Sequence, residues 1–235
     1  MEMSHRQIEF SFLILVLLML PLMANTQGSV YTIMAGPSMS TQTVNGFEKD
    51  PFFRLHFQAQ MESTSELSPN ALYLRLGYHT KGSAVNISDY VDDGGNEIEG
   101  SSSSMEFHNL STSVGVKQRK EVGTNFLSYG FGIRGDFNLS TDFDPFFQAL
   151  EGTENNFTYG LNFEVGWEFT LSELVSTTIE VGFYPDLSNQ IYIPFQDTGY
   201  DLNGQPYFIQ ESDIKNVVFE ARAGFRFWRK VIYTD

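Results

Sequence analysis

The sequence predicts an all-β protein, namely an eight-stranded antiparallel transmembrane β-barrel. The first observation is the segment Phe157 to Phe169, where apolar or aromatic residues alternate with Thr, Gly, Asn or Glu over thirteen residues. Alternation with period two places the two sets of side chains on opposite faces of a strand. The segment is longer than a typical soluble strand of about five or six residues, and it is long enough for the roughly 9 to 11 tilted residues of a membrane-spanning strand. An export signal and an ordered series of connections are the second and third observations.

The amino terminus has the layout of a signal peptide. His5 and Arg6 precede an apolar run from Phe10 to Leu20, and a short polar exit with small residues follows it. This run is shorter than the roughly 18 residues that cross a bilayer as a helix. We therefore predict a signal peptide at residues 1–26 and one barrel domain at 27–235. The expected location is the bacterial outer membrane.

Eight segments of the chain carry the alternation. The first, Ser29 to Thr41, shows the weakest alternation. In Phe53 to Ser63, by contrast, the odd-numbered positions up to Met61 are apolar and the even-numbered positions are Arg, His, Gln or Glu. The predicted strands in chain order are Ser29–Thr41, Phe53–Ser63, Ala71–Lys81, Phe107–Lys117, Phe126–Asn138, Phe157–Phe169, Val175–Tyr184 and Lys215–Trp228.

The connections between these strands alternate between long and short. The long ones are predicted at Thr41–Phe52, Gly82–Ser104, Leu139–Asn156 and Pro185–Ile214, and the short ones at Glu66–Asn70, Gln118–Gly123 and Thr170–Leu174. A barrel with both termini in the periplasm has short periplasmic turns and longer extracellular loops in this order. The sequence thus predicts long acidic extracellular loops.

The polar face of the strands indicates which side is inside. A soluble barrel with an apolar interior would give the same alternation, but here glycines are interleaved with long charged residues on the polar face. An eight-stranded barrel has an interior that side chains fill, so inward charges need small neighbours. Seven positive and six negative residues nearly balance, as buried ions require. The predicted lumenal network is Arg54, Glu62, Arg75, Lys81, Lys117, Arg134, Asp136, Glu164, Glu168, Glu180, Glu220, Arg222 and Arg226.

Composition excludes several kinds of function. The chain has no cysteine, so it has neither disulfides nor thiolate metal sites nor a site for lipid attachment at Cys. A net charge of −15 disfavours nucleic acid as a partner, and the near-neutral lumen places most of this charge in the loops and tails. We expect contact with outer-membrane lipid and lipopolysaccharide, and no cofactor.

Four stretches of sequence resemble a known family. They are Tyr31 to Ser40, Tyr73 to Ser83, Tyr129 to Gly135 and Val218 to Phe227, which are rich in Gly and alternating aromatics. They look like the small outer-membrane β-barrel proteins of Bacteroidota, the PorT-like group. The resemblance covers nearly all of the mature chain and implies the barrel architecture but no activity. The family's final strand ends near an aromatic residue, which Phe227 and Trp228 match, although Arg229 to Asp235 continues beyond them.

The sequence favours a protein without catalytic activity. His56 and His79 lie near the predicted outer rim and are the residues of an alternative hypothesis, a lipid A-modifying or protease-like enzyme. No Gly-x-Ser-x-Gly, His-Glu-x-x-His or nucleotide-binding motif is present. Hydrogen bonding of both histidines within the charge network is the simpler explanation.

The long loops are the predicted site of partner binding. Exposed aromatics in a polar surround are typical of interfaces. The candidates are Tyr90, Phe143, Phe146, Phe147, Tyr192, Phe195, Tyr200, Tyr207 and Phe208. We expect a scaffold or accessory subunit of an outer-membrane secretion or assembly machine, with another envelope protein as partner. A narrow pore is a further alternative.

A calcium site in the loops is a weaker hypothesis. Asp197, Asp201 and Asn203 precede Gly204 as in a calcium-binding loop, but Gly199 and Phe208 occupy two ligand positions. We therefore expect no metal.

Overall fold

The computed structural model describes residues 28–43, 50–64, 69–87, 90–91, 97–98, 100–193, 196–200, 206–209 and 211–230. The predicted signal peptide lies outside these residues. Within the described ranges, no helix has the length and apolar character needed to cross a bilayer.

Eight long strands form the body of the molecule, and each predicted strand lies inside one of them. Their bounds are β1 Gly28–Thr43, β2 Phe52–Thr64, β3 Asn70–Ile87, β4 Ser101–Val122, β5 Asn125–Phe143, β6 Phe157–Thr170, β7 Val175–Pro185 and β8 Ser212–Lys230.

The strands close into a ring. Each pairs antiparallel with the next, and β1 pairs with β8 from Gly28–Lys230 to Thr43–Lys215. The first residue of β1 and the last residue of β8 therefore lie at the same end of the barrel. The connection from Val122 to Asn125 on that side is a tight turn in which Gly123 has a φ of 66°, a conformation that favours glycine. The predicted fold class is confirmed.

The two faces of the wall have opposite polarity. Outward side chains are apolar and exposed, for example Ile33 and Leu55 at 65% each and Val165 at 50%. Inward side chains include Arg226 at 1% and Lys117 at 1% exposure. A soluble barrel would bury the apolar set instead, so this polarity defines a barrel whose outer wall contacts lipid. The soluble alternative is thereby excluded.

Strands β3, β4 and β5 extend further than their alternation predicts. The β3–β4 ladder continues from Gly82–Glu106 to Ile87–Ser101, within what was predicted to be a loop. This part contains Ser101 to Ser104, and its apolar residues Val85 and Met105 are buried instead of facing lipid. A strand beyond the bilayer has no lipid to face, so it need not carry the alternation from which the strands were predicted.

The remaining described elements belong to the long connections. A 3-10 helix, Pro145–Leu150, follows β5. The short strand Ile191–Ile193 pairs with the first residues of β8, Tyr90–Val91 pairs with Glu97–Ile98, and Gln196–Tyr200 pairs with Pro206–Ile209.

One residue of the long alternation does not face lipid as the pattern predicts. Phe157 is only 1% exposed, and its ring lies 4.8 Å from that of Phe137 on β5. Val165 in the same strand is exposed. Phe157 begins its strand next to the folded outer connections, where protein rather than lipid covers it.

Candidate functional site: a charged lumen closed at its outer end

The barrel interior holds a continuous network of buried ion pairs. Among the described lumenal residues the charges balance, with seven positive and seven negative, if both histidines are counted as neutral. The positive members are Arg75, Lys81, Lys117, Arg119, Arg134, Arg222 and Arg226, and the negative members are Glu62, Asp136, Glu164, Glu168, Glu180, Asp186 and Glu220. Because an unpaired ion in so buried an interior would cost several kcal/mol, the balanced charges allow these residues to stay ionised in the folded barrel.

The layer nearest the termini centres on Glu62. Both carboxylate oxygens of Glu62 accept hydrogen bonds from the guanidinium of Arg226, at 2.8 and 2.7 Å. Arg226 also lies 3.3 Å from Glu168, which pairs with Arg119 at 2.6 Å. Lys117 approaches Glu62 at 3.4 Å and so connects this layer to the next.

The middle layer joins β3, β4, β6, β7 and β8. Glu164 accepts from both Arg75 and Arg222 at 2.6 Å, and Glu180 accepts from Arg222 at 2.8 Å and from Lys117 at 2.7 Å. Arg222 and Glu180 are cross-strand partners on the neighbouring strands β8 and β7, whereas the other three pairs join strands that are not neighbours and so cross the lumen. The layer therefore fills the cross-section of the barrel.

The outer layer centres on two aspartates. Asp186 accepts from Lys81 at 2.9 Å and from Arg134 at 2.8 Å, and Asp136 pairs with the same two cations. His79 lies between Asp136, at 3.4 Å, and Glu220, at 3.3 Å. His56 is 3.4 Å from the other oxygen of Glu220.

Glycines provide the space for these long side chains. A Cβ atom built on Gly130 would lie 2.8 Å from Glu164, and one on Gly166 would lie 2.6 Å from Glu180. On Gly115 it would lie 2.3 Å from the backbone oxygen of Phe131. The glycines of the polar face thus make room for lumenal side chains, as the sequence predicts.

An apolar cluster, which we call the outer cap, lies at the extracellular end of the lumen. Its members come from β3, β4, the 3-10 helix, the connection between β7 and β8, and the start of β8, and they are Val85, Met105, Phe107, Phe147, Ile191 and Ile214. Phe143, Leu150 and Ile193 pack against it. The outer cap separates the ionic lumen from the extracellular side.

Twelve of the thirteen predicted network residues lie in the lumen, and Arg54 does not. The Arg54 side chain is 45% exposed and pairs at 2.6 Å with Glu106 on the outer side of β4. The prediction for Arg54 was wrong because β2 has no partner on β3 at this height: the β2–β3 register begins at Phe57–Tyr78. Glu106 is the cross-strand partner of Gly82, so the Arg54–Glu106 pair spans β3 instead of lying in the lumen.

Two charged members of the network were missed. Asp186 lies one residue beyond β7, in what was predicted to be a loop, yet it forms a bridge with Gly160. Arg119 continues the alternation of β4 two residues past Lys117, so extending the period would have found it. Tyr73 and Tyr184 were also missed as lumenal hydrogen-bonding partners.

The two histidines of the enzymatic hypothesis are near each other but enclosed. His56 is 2% exposed and His79 is 3% exposed, and both approach the same carboxylate of Glu220. Within the described part of the chain, no three His, Asp or Glu side chains are arranged to hold a metal ion.

The predicted partner-binding aromatics divide into three groups. Phe147 is buried in the outer cap and Phe143 packs against it, so these two do not face a partner. Tyr192 is 44% exposed, and the hydrogen bond that its hydroxyl donates to Glu211 raises the pKa of the phenol. Phe195 lies outside the described residues, and the structure does not describe the side chains of Tyr90, Phe146, Tyr200, Tyr207 and Phe208.

The calcium hypothesis also falls on this part of the chain. Asp201, Asn203 and Gly204 lie outside the described residues, and Asp197 is described only in its backbone strand.

The lipid-facing wall and the charged interior define the class of the protein. It is a bacterial outer-membrane β-barrel with eight strands and a filled lumen. No protein-family model matches the chain, and no curated protein is similar in sequence.

Solved structures with a related arrangement include outer membrane protein W of Escherichia coli, which is 16% identical with a TM-score of 0.42 over 86% of this chain and 100% of that chain. The attachment invasion locus protein Ail of Yersinia pestis is 12% identical, with a TM-score of 0.41 over 85% and 99%. The outer membrane protease OmpT of Escherichia coli is 9% identical, with a TM-score of 0.42 over 87% and 98%. Because these TM-scores are below 0.5, the class rests on the barrel itself.

Proposed function

We propose that the protein is a non-conducting, non-catalytic outer-membrane barrel that serves as a scaffold or accessory subunit of a larger envelope complex. One observation carries this proposal: the lumen is filled by mutually paired ions and is covered by the outer cap. A barrel whose interior is occupied by its own side chains has its loops and its lipid-facing wall left for interaction.

The buried ion pairs argue against the pore alternative. Glu164 and Glu180 are each held by at least two cations from other strands. A hydrated ion that entered would have to break several of these pairs at once. The apolar outer cap adds a second barrier, since apolar constrictions exclude water and ions.

The enclosure of His56 and His79 argues against the enzyme alternative. A general base has to come within about 3 Å of the proton that it removes. Neither side chain is exposed, and both lie within 3.4 Å of the Glu220 carboxylate.

We further propose that the chain belongs among the small PorT-like barrels of Bacteroidota and serves a secretion or assembly machine. The four Gly- and aromatic-rich stretches support this membership, because they coincide with β1, β3, β5 and β8. The acidic loops favour a partner with basic or aromatic contact groups.

Site-specific photo-crosslinking in the native membrane tests the proposal. The photoreactive residue is placed at Tyr192 in a loop, at Phe131 on the lipid-facing wall, and at Thr178 in the lumen as a control. We expect a discrete protein adduct from Tyr192 or Phe131 and none from Thr178. If neither surface position gives an adduct, the proposal of an accessory subunit is wrong.

A further inference from the structure

The wall has a poorly paired seam between the outer parts of β2 and β3. Pairing between these strands runs only from Phe57–Tyr78 to Glu62–Tyr73. On its other side β2 stays paired with β1 as far as Phe52–Ser40. Residues 52–56 of β2 and 79–83 of β3 are therefore adjacent without being paired to each other, and we call this gap the β2–β3 seam.

Three contacts hold the seam closed in place of a ladder. Beyond it, Asp50 and Ala84 exchange backbone hydrogen bonds of 2.9 and 3.3 Å. From the inside, Ser40 on β1 bonds to β3: its hydroxyl donates to the carbonyl of Gly82 at 2.8 Å and accepts from the amide of Gly82 at 2.9 Å. From the outside, Arg54 reaches across β3 to Glu106 on β4.

The Arg54–Glu106 pair has the properties of a latch. Its guanidinium donates to both carboxylate oxygens of Glu106, at 2.6 and 3.3 Å, and lies 4.0 Å from the centre of the Phe52 ring. Since Arg54 is half exposed, the pair is weak compared with those in the lumen. Breaking it would release β2 from β4 without unpairing any buried charge.

The polar groups behind the seam come from both of its strands. His56 and His79 stand at positions that would be cross-strand partners if the register of Phe57–Tyr78 continued by one pair. Around them lie Glu220 and Arg222 from β8, Arg75 from β3, and Asp136 and Arg134 from β5. Opening of the seam would connect this group with the outer side of the wall.

We infer that the β2–β3 seam is a lateral opening in the wall, closed by the Arg54–Glu106 latch. It gives the lumenal pair His56 and His79 access to the outer leaflet while the other ladders of the barrel remain intact. This conformational change does not depend on the proposed partner, so the lateral opening and the accessory-subunit function can each be wrong while the other is right.

Hydrogen exchange in lipid nanodiscs tests the opening directly. The amides of residues 52–56 and 79–83 that point into the seam, as distinct from those bonded to β1 or β4, are compared with those of Val181 and Ala221, which face each other in the β7–β8 ladder. We expect exchange at the seam at least roughly ten-fold faster than in that ladder, because unpaired segments open with little free energy. Equal protection at the two places would overturn the inference.

The latch is tested with Arg54→Ala and a matched control. We expect Arg54→Ala to accelerate exchange at the seam by roughly two- to five-fold, in keeping with the strength of an exposed pair. Lys120→Ala removes an exposed cation at the opposite end of β4 and should change nothing at the seam. If both variants accelerate exchange at the seam equally, or if Arg54→Ala leaves it unchanged, the Arg54–Glu106 pair is not a latch.

Modification with diethyl pyrocarbonate provides the second readout. His108 lies outside the lumen, half-buried beside Asp142 at 3.1 Å, and serves as the internal reference. Relative to His108, His56 and His79 should react faster in Arg54→Ala than in the wild type or in Lys120→Ala. Unchanged ratios would mean that the seam does not expose the histidines.

Discussion

At the scale of single residues, the barrel depends on how each buried charge is compensated. Arg134 shows this most clearly, because it contacts Asp136 at 2.9 Å and Asp186 at 2.8 Å while remaining almost fully buried. Arg54 forms an equally short pair with Glu106 but lies half in solvent. The two arginines make similar bonds in very different surroundings, so their removal should have different consequences.

We predict that Arg134→Ala destabilises the barrel strongly. The change leaves Lys81 to compensate both Asp136 and Asp186, and breaking a buried pair costs about 3–5 kcal/mol. Arg54→Ala should cost at most about 1 kcal/mol, since exposed pairs contribute little. Urea unfolding in lipid vesicles measures both, and equal midpoints for the two variants would contradict the account.

We predict that Gly115→Ala harms folding more than Gly77→Ala. A Cβ at Gly115 would meet backbone and the Tyr73 ring at 2.3–2.7 Å, whereas at Gly77 the nearest atoms are at 3.1 Å. Backbone cannot yield as a flexible side chain can, and overpacking costs about 1–3 kcal/mol. Heat-modifiable gel mobility measures the fraction of each variant that refolds into detergent micelles. This fraction should be lower for Gly115→Ala than for Gly77→Ala. The reverse order would be inconsistent with the packing described.

Much of the lumen is predictable at this scale, because a strand fixes the direction of every side chain. Glu164 and Arg222 could be assigned to the interior from period two alone, and both lie there. Asp186 and Arg54 could not be assigned in this way. Their positions depend on where a neighbouring strand stops pairing, which is a property of two strands and not of one sequence segment.

At the scale of elements, the outer halves of β3, β4 and β5 extend beyond the lipid and support the outer cap. Met105 and Phe107 face inward from β4, and Phe147 reaches them from the 3-10 helix Pro145–Leu150. The lipid-facing alternation predicts the membrane part of these strands but not their extension. Serine-rich segments can pair as strands without any hydrophobic alternation in their sequence, because the hydrogen bonds of the ladder are made by the backbone.

We predict that Phe147→Asp disrupts the outer cap. A carboxylate among Val85, Ile191 and Ile214 would lack any partner there and would draw water into the cluster. Gln148→Asp is the matched control, since Gln148 is exposed on the same helix. Thermal unfolding should shift to lower temperature for Phe147→Asp alone. A similar shift in both variants would mean that the helix, and not the cap, responds to the charge.

At the scale of the whole molecule, charge is separated between inside and outside. The described lumen balances seven cations with seven anions, so the net charge of −15 belongs to the rest of the chain. An interior whose charges are balanced is stable in a low-dielectric environment, and an acidic exterior repels other anionic surfaces. Both properties suit a barrel that is closed to ions and interacts through its outside.

The central claim is that the barrel is closed to ions, and recording from planar bilayers tests it most directly. The full mature protein is reconstituted at increasing amounts, with a known porin as a positive control for insertion. We predict no conductance steps above the bare bilayer, because the buried ion pairs and the outer cap occupy the lumen. Stable, uniform steps whose number rises with the amount of protein would contradict the account.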